Sequence, residues 1–149
     1  MVSRRLPIIG LVLITLSVSA AVVVVLARRE TPKERFVAEA TAICETSKHD
    51  IEVGFNAQLG GQPTPEQIAA FLSGVLVPQL RDRLDRLEAL DLPPDDEDEL
   101  TSVFADYRAV IDAIAADPAA FVAQEDPFAD VDTRFDNHGL EACGSAPAP

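Results

Sequence analysis

Cys44 and Cys143 are the residues of this chain best placed for chemistry. In a reducing compartment such a pair reads as two buried thiols. Behind an export signal an even count favours a disulfide. Other reactive groups are sparse: two His, one Tyr and no Trp. Glu45 and His49 stand one helical turn apart with Asp50 following, but no spacing supplies a third ligand for a divalent ion. An exposed charged face explains them. His138 beside Asp136 reads as a cap at a helix end. Asp130, Asp132, Asp136, His138 and Glu141 fall near the ligand positions of a calcium loop. Arg134 then occupies a position that needs an oxygen ligand, and Phe135 the position where Gly makes the turn, so an EF-hand is rejected.

Nucleophilic catalysis finds no footing either. There is no Gly-x-Ser-x-Gly elbow, and Ser47 and Ser73 lie in helical stretches without an adjacent base. His-Glu-x-x-His, a phosphate-cradling Gly loop and a dinucleotide fingerprint are all missing. With 25 acids, paired carboxylates arise by chance. The expectation is no catalytic residue, no metal site, no cofactor and no enzymatic activity.

Charge narrows the partners. The chain carries -13 overall, but unevenly. Met1 to Arg35 holds six Lys/Arg against two acids, and the rest six basic residues against 23 acids. A field of that sign repels phosphate backbones, so no nucleic-acid binding is expected. It suits a cationic wall component or a basic partner, and it also serves solubility.

Pro7 to Ala27 reads PIIGLVLITLSVSAAVVVVLA, 21 uncharged residues. As a helix it spans about 31 Å, near the ~30 Å hydrocarbon thickness of a bilayer. The competing reading is a cleaved signal peptide with Arg4 and Arg5 as its basic region. Val18-Ser19-Ala20 and Val25-Leu26-Ala27 offer small-residue cleavage patterns. The apolar run continues past the better of these, which favours a retained single-pass anchor. No Cys stands just after the apolar core, so a lipoprotein is rejected. Counting Lys and Arg alone, the four on the C-terminal flank would hold the domain inside. A first apolar segment with a short basic N-terminus is nevertheless an export signal, and the two cysteines suit an oxidising exterior. The expected layout is a basic N-terminus over 1–6, a transmembrane helix over 7–27, an extracytoplasmic domain over 28–144 and a disordered tail over 145–149. Secretion after cleavage is the alternative.

The elements that must position these groups are all helical. Thr31-Pro32-Lys33-Glu34 is an N-cap, a Pro at N1 and an acid at N3. Phe36, Ala40, Ile43, Cys44, Ser47, Ile51 and Phe55 follow on one face, and Gly60-Gly61 stops the helix. Thr64-Pro65-Glu66-Gln67 repeats the start. Ile68, Phe71, Leu72, Val75, Leu76, Leu80, Leu84 and Leu87 form its stripe, with Pro78 predicting a kink near Leu76–Val77 or a break. Arg81 to Arg86 reads as a solvated face with pairs Arg81–Asp85 and Asp82–Arg86. Leu92-Pro93-Pro94 breaks the chain, and Asp95 to Glu99 opens a third helix where its dipole favours acids. Leu100, Val103, Phe104, Tyr107, Val110, Ile111 and Ile114 form its stripe. Asp117-Pro118 and Asp126-Pro127 start two short helices expected to bury Phe121 and Val122, then Phe128, Val131 and Phe135. Asn137-His138-Gly139-Leu140 is a stop. No stretch alternates with period two. The expected fold class is all-α: an up-and-down bundle of three long helices plus one or two short C-terminal ones. In it Cys44 faces the core, Cys143 follows the last stop, and the expected disulfide joins them.

Ala42-Ile43-Cys44, Leu87-Glu88-Ala89-Leu90-Asp91-Leu92-Pro93-Pro94 and Gly139-Leu140-Glu141-Ala142-Cys143 also carry a resemblance. The chain resembles small exported or membrane-anchored helical proteins of high-GC Gram-positive bacteria with a two-cysteine pattern. That group has no activity to lend. It implies the disulfide and a surface-anchored helical domain. Two functions follow as expectations. The first is a non-catalytic, membrane-tethered extracytoplasmic interaction domain, its partner another envelope protein or a cationic wall component. The second is a carrier or sensor of a small apolar ligand held within the bundle, its seven Phe supplying the lining.

Overall fold

A computed structural model describes residues 30–122 and 126–144. The expected basic N-terminus, anchor, cleavage sites and tail lie outside them. Among the described residues no helix is long and apolar enough to cross a membrane, and no strand occurs.

The long helices begin and end where local chemistry dictates. Helix α1 (Pro32–Gln58) starts at the proline after Thr31 and buries Phe36, Ala40, Ile43, Cys44 and Ser47. Past its end Gly61 takes φ +97°, a left-handed conformation that favours glycine. Helix α2 (Pro65–Phe71) opens with a complete capping box. The Thr64 N–H donates to Gln67 Oε1 at 2.8 Å, and the Gln67 N–H donates to Thr64 Oγ1 at 3.3 Å. Leu72–Leu76 then widens into a π turn, in which the Val77 N–H donates to the Leu72 carbonyl. Pro78 lacks an N–H, and its ring crowds the carbonyl one turn back; the wide turn accommodates both. Helix α3 (Val77–Glu88) continues from it, so the proline distorts the helix without ending it.

Helix α4 (Glu97–Ala116) buries Leu100, Val103, Phe104, Tyr107, Ile111 and Ile114. Arg81 meets Asp112 while Glu88 meets Arg108, so α3 and α4 run antiparallel. The α1 residue Gly54 lies against Val75, and Lys48 lies near Arg83, which sets α1 antiparallel to the π turn and α3. The cross-helix pair Arg81–Asp112 replaces the expected Arg81–Asp85 pair, because Asp85 turns toward Arg108 at 3.8 Å.

The C-terminal pieces are short. Helix α5 (Pro118–Val122) is capped by Asp117, whose Oδ1 accepts the Ala120 N–H at 2.9 Å. It half-buries Phe121 but leaves Val122 54% exposed, against expectation, since five residues cover one face only. Helix α6 (Ala129–Asn137) starts later than the Asp126-Pro127 signal suggests. The Asp126 carboxylate accepts the Phe128 N–H at 3.1 Å and turns the chain before the helix begins. Val131 and Phe135 are buried. At its end the Leu140 N–H donates to the Phe135 carbonyl at 3.0 Å, with Gly139 at φ +78° and Leu140 buried. A 3-10 turn (Glu141–Cys143) carries Cys143 to Cys44. The two sulfurs are bonded, with Cα atoms 4.9 Å apart and both residues buried.

Candidate functional site

Lys48, Ile51, Glu52 and Phe55 lie within about two turns of α1, Ile51 and Phe55 continuing its apolar stripe and Lys48 and Glu52 flanking it. They form one wall of a groove of about 510 Å³. Phe71, Leu76, Leu80 and Arg83 form the facing wall, Tyr107 comes from α4, and Phe128, Asp132, Cys143 and Gly144 close one end. The volume falls within the roughly 300–1,000 Å³ of small-molecule sites, and the lining is mainly apolar, as such sites are. Phe55 packs edge-on against Phe71 at 5.6 Å between ring centroids, and Tyr107 against Phe128 at 5.8 Å. Phe55 is 47% exposed, a departure from its expected core position, because it stands at the groove's mouth. Three of the seven Phe (Phe55, Phe71 and Phe128) line the groove; Phe36, Phe104 and Phe135 are buried in the core.

Arg83 is the residue the sequence reading missed. The Arg81–Arg86 stretch was expected to be a solvated face, yet Arg83 is 4% exposed. Its signal lay in the spacing: Leu80, Arg83, Leu84 and Leu87 occupy the i, i+3, i+4 and i+7 positions of one helical face, and all four are buried. The guanidinium donates from Nη1 to the Tyr107 hydroxyl and to the Cys143 carbonyl, each at 3.3 Å. Its Nε is buried with no hydrogen-bond partner among the described residues. Both acceptors belong to groove residues, so the charged end of Arg83 lies at the groove.

The census of cations sets this site apart. Of the six basic side chains from Phe36 onward, four sit in ion pairs. Arg81 pairs with Asp112 at 2.8 Å and Arg86 with Asp82 at 3.7 Å. Arg108 pairs with Glu88 at 2.6 Å, and Arg134 with Glu99 at 2.8 Å and with Asp106. Lys48 and Arg83 have no carboxylate within 4.0 Å among the described residues, and both line the groove. Burial lowers the Lys48 pKa, and the Arg83 charge lowers it further, with Asp132, Asp136 and Glu45 pulling back. Burial raises the Tyr107 pKa, opposed by the Arg83 charge and hydrogen bond.

The other sequence candidates do not converge. Glu45, His49 and Asp50 are exposed along α1. His138 is the C-cap of α6, as expected, its N–H donating to the Phe135 carbonyl at 3.0 Å. Its Nδ1 lies 3.5 Å from Asp96 Oδ1, while Lys33 Nζ holds the other Asp96 oxygen at 3.0 Å. That Nδ1 contact has ion-pair distance without hydrogen-bond geometry. Arg134, the misfit of the calcium-loop comparison, ties α6 to α4 through Glu99, Ser102 and Asp106. Among the described residues no three His, Cys, Asp or Glu side chains gather as a metal site. No protein-family model, curated protein or solved structure matches the chain.

Proposed function

We propose that this is a non-catalytic binding domain, tethered by Pro7–Ala27 to the outer side of a membrane, whose working surface is the groove between α1 and the π turn with α3. The observation that carries this reading is a preformed apolar groove with the buried cation Arg83 beside it. A sequence selected only for stability would place an aliphatic side chain at that core-facing position. A buried charge costs several kcal/mol unless it is well compensated. The groove favours a small apolar ligand over an envelope-protein partner, since it is narrow and concave where protein interfaces are broad.

The test is native mass spectrometry of the full chain, produced in a bacterium and purified in lipid nanodiscs. The wild type should carry a small-molecule adduct. Leu76→Trp, which fills the groove from a half-buried position, should lose it. No adduct in either protein, or the same adduct in both, would contradict the proposal. Intact mass in the membrane fraction tests the tether: the chain should retain residues before Ala20, and a species beginning at Ala21 or Arg28 would refute the anchor.

A further inference from the structure

We infer that the groove selects an amphiphile with one anionic oxygen head, its head held by Arg83 and Lys48 and its apolar body lying along Ile51, Phe55, Phe71 and Leu76. This rests on the groove being the binding site, and adds the chemistry of what fills it.

Three observations converge. Every other cation from Phe36 onward has an acid within reach, yet Lys48 and Arg83, both in one groove, have no ion-pair partner among the described residues. Arg83 is buried, its Nη1 meets neutral acceptors and its Nε meets none, so among the described residues no carboxylate is bonded to its charge. A guanidinium is built to take a carboxylate or phosphate oxygen. The two cations also repel one another, and a shared anion removes that repulsion. Glu52 and Asp132 line the same groove. Glu52 is exposed and Asp132 half-buried, whereas Arg83 is buried. Water weakens the acids' field more than that of the buried cation. With Glu52 and Asp132 in the groove, and Asp136 and Glu45 also acting on Lys48, the two cations accommodate a single negative charge in preference to a dianion. The apolar lining requires the rest of the ligand to be hydrocarbon or aromatic.

A free fatty acid and an anionic membrane lipid both present this chemistry. The probe is a fatty acid with a photoreactive diazirine in its tail, added to the full chain in phosphatidylcholine nanodiscs. Crosslinks should map to Ile51–Phe55 and Phe71–Leu80. Decanoate should displace the probe about tenfold more effectively than decanol, the scale of one charge-assisted contact. Arg83→Met should keep the crosslinked positions while bringing decanoate and decanol close to equal. Lys48→Met, at a half-buried site outside the core, should lower the preference part of the way. It keeps the test valid if Arg83→Met unfolds. Repeating the measurement in phosphatidylglycerol nanodiscs separates the sources. Suppressed labelling there identifies a membrane lipid as the occupant, and unchanged labelling identifies the free acid. Groove labelling with decanol as effective as decanoate would overturn the anionic head and leave the groove reading standing. Labelling confined to other peptides would overturn both.

Discussion

The three long helices and the C-terminal pieces α5, α6 and the 3-10 turn are held by different means. In α1, α3 and α4 each apolar stripe meets another, and burial of Phe36, Leu84, Leu87, Leu100 and Ile111 supplies the adhesion. The C-terminal helices have five and nine residues. Helices shorter than ~12–15 residues are marginal alone in water. They depend on contacts made to them: the disulfide from α1, the Arg134 network from α4, the Arg83 bond to the Cys143 carbonyl, and the packing of Phe135 and Leu140. The groove lies at the seam. Its two long walls belong to the self-sufficient region and its closed end to the dependent one. A groove gains from this arrangement, because its two walls are fixed and its end can yield without unfolding the domain.

Breaking the comparison at its strongest point means cutting the staple. The bond closes a loop with a sequence separation of 99. For a loop near 100 residues the chain-entropy treatment gives up to ~4.7 kcal/mol. Cys143→Ser should therefore cost about 2–4 kcal/mol in denaturant unfolding at pH 7. A change below ~0.5 kcal/mol would mean that packing alone holds the C-terminal pieces.

The next largest effect is predicted within the long helices. A Cβ on Gly54 would sit 2.7 Å from Val75 Cγ1, where α1 passes the π turn. Gly54→Val should cost about 2 kcal/mol by overpacking. Gly54→Ala should cost less, since a helical Gly-to-Ala change returns roughly 0.5–1 kcal/mol. Thermal unfolding of the pair checks this, and equal stability of all three proteins would show that the crossing is loose.

Arg134→Leu should release α6 from Glu99, Ser102 and Asp106. The network is partly exposed, so the cost should be about 1 kcal/mol and should shrink in 1 M salt. A salt-independent loss would point to packing of the arginine stem.

Much of this contrast was legible in the residues. The α4 stripe from Leu100 to Ile114 is buried at the spacing predicted, with only Val110 half-exposed at its margin. The Thr64–Gln67 box, the Gly139 stop and the Pro78 distortion came from local chemistry and needed no tertiary information. The groove was not legible, because much of its lining (Ile51, Phe55, Phe71, Leu76, Leu80 and Tyr107) belongs to the predicted stripes, and helical spacing does not show where facing stripes leave a gap. Phe55 fits the apolar period, but no neighbour closes over it. Arg83 looked solvated because its sequence neighbours Arg81, Asp82, Asp85 and Arg86 are. Its spacing from Leu80, Leu84 and Leu87 puts it on the inward face, but its partners, Tyr107 and Cys143, lie 24 and 60 positions away and could not be read from the helix.

The smallest effect concerns the half-buried cation of the groove, Lys48. The Lys48 pKa is lowered in the fold, so the folded chain binds that proton more weakly than the unfolded chain. Stability on this account is flat at neutral pH. It rises as pH climbs through the lowered folded value towards the ordinary 10.5. Lys48→Met should remove that rise and be slightly stabilising at pH 7. Urea unfolding from pH 7 to 11 reads both, and an unchanged alkaline slope would place the shift elsewhere.

Hydrogen exchange on the full chain in nanodiscs, oxidised and after reduction, tests the central claim most directly: the groove has two walls that stand alone and one end that is stapled. Reduction should speed exchange in Ala129–Cys143 while the buried stripe of α4, from Leu100 to Ile114, keeps its protection. Equal protection of Phe128–Phe135 in both states, or uniform loss across all the helices, would contradict the account.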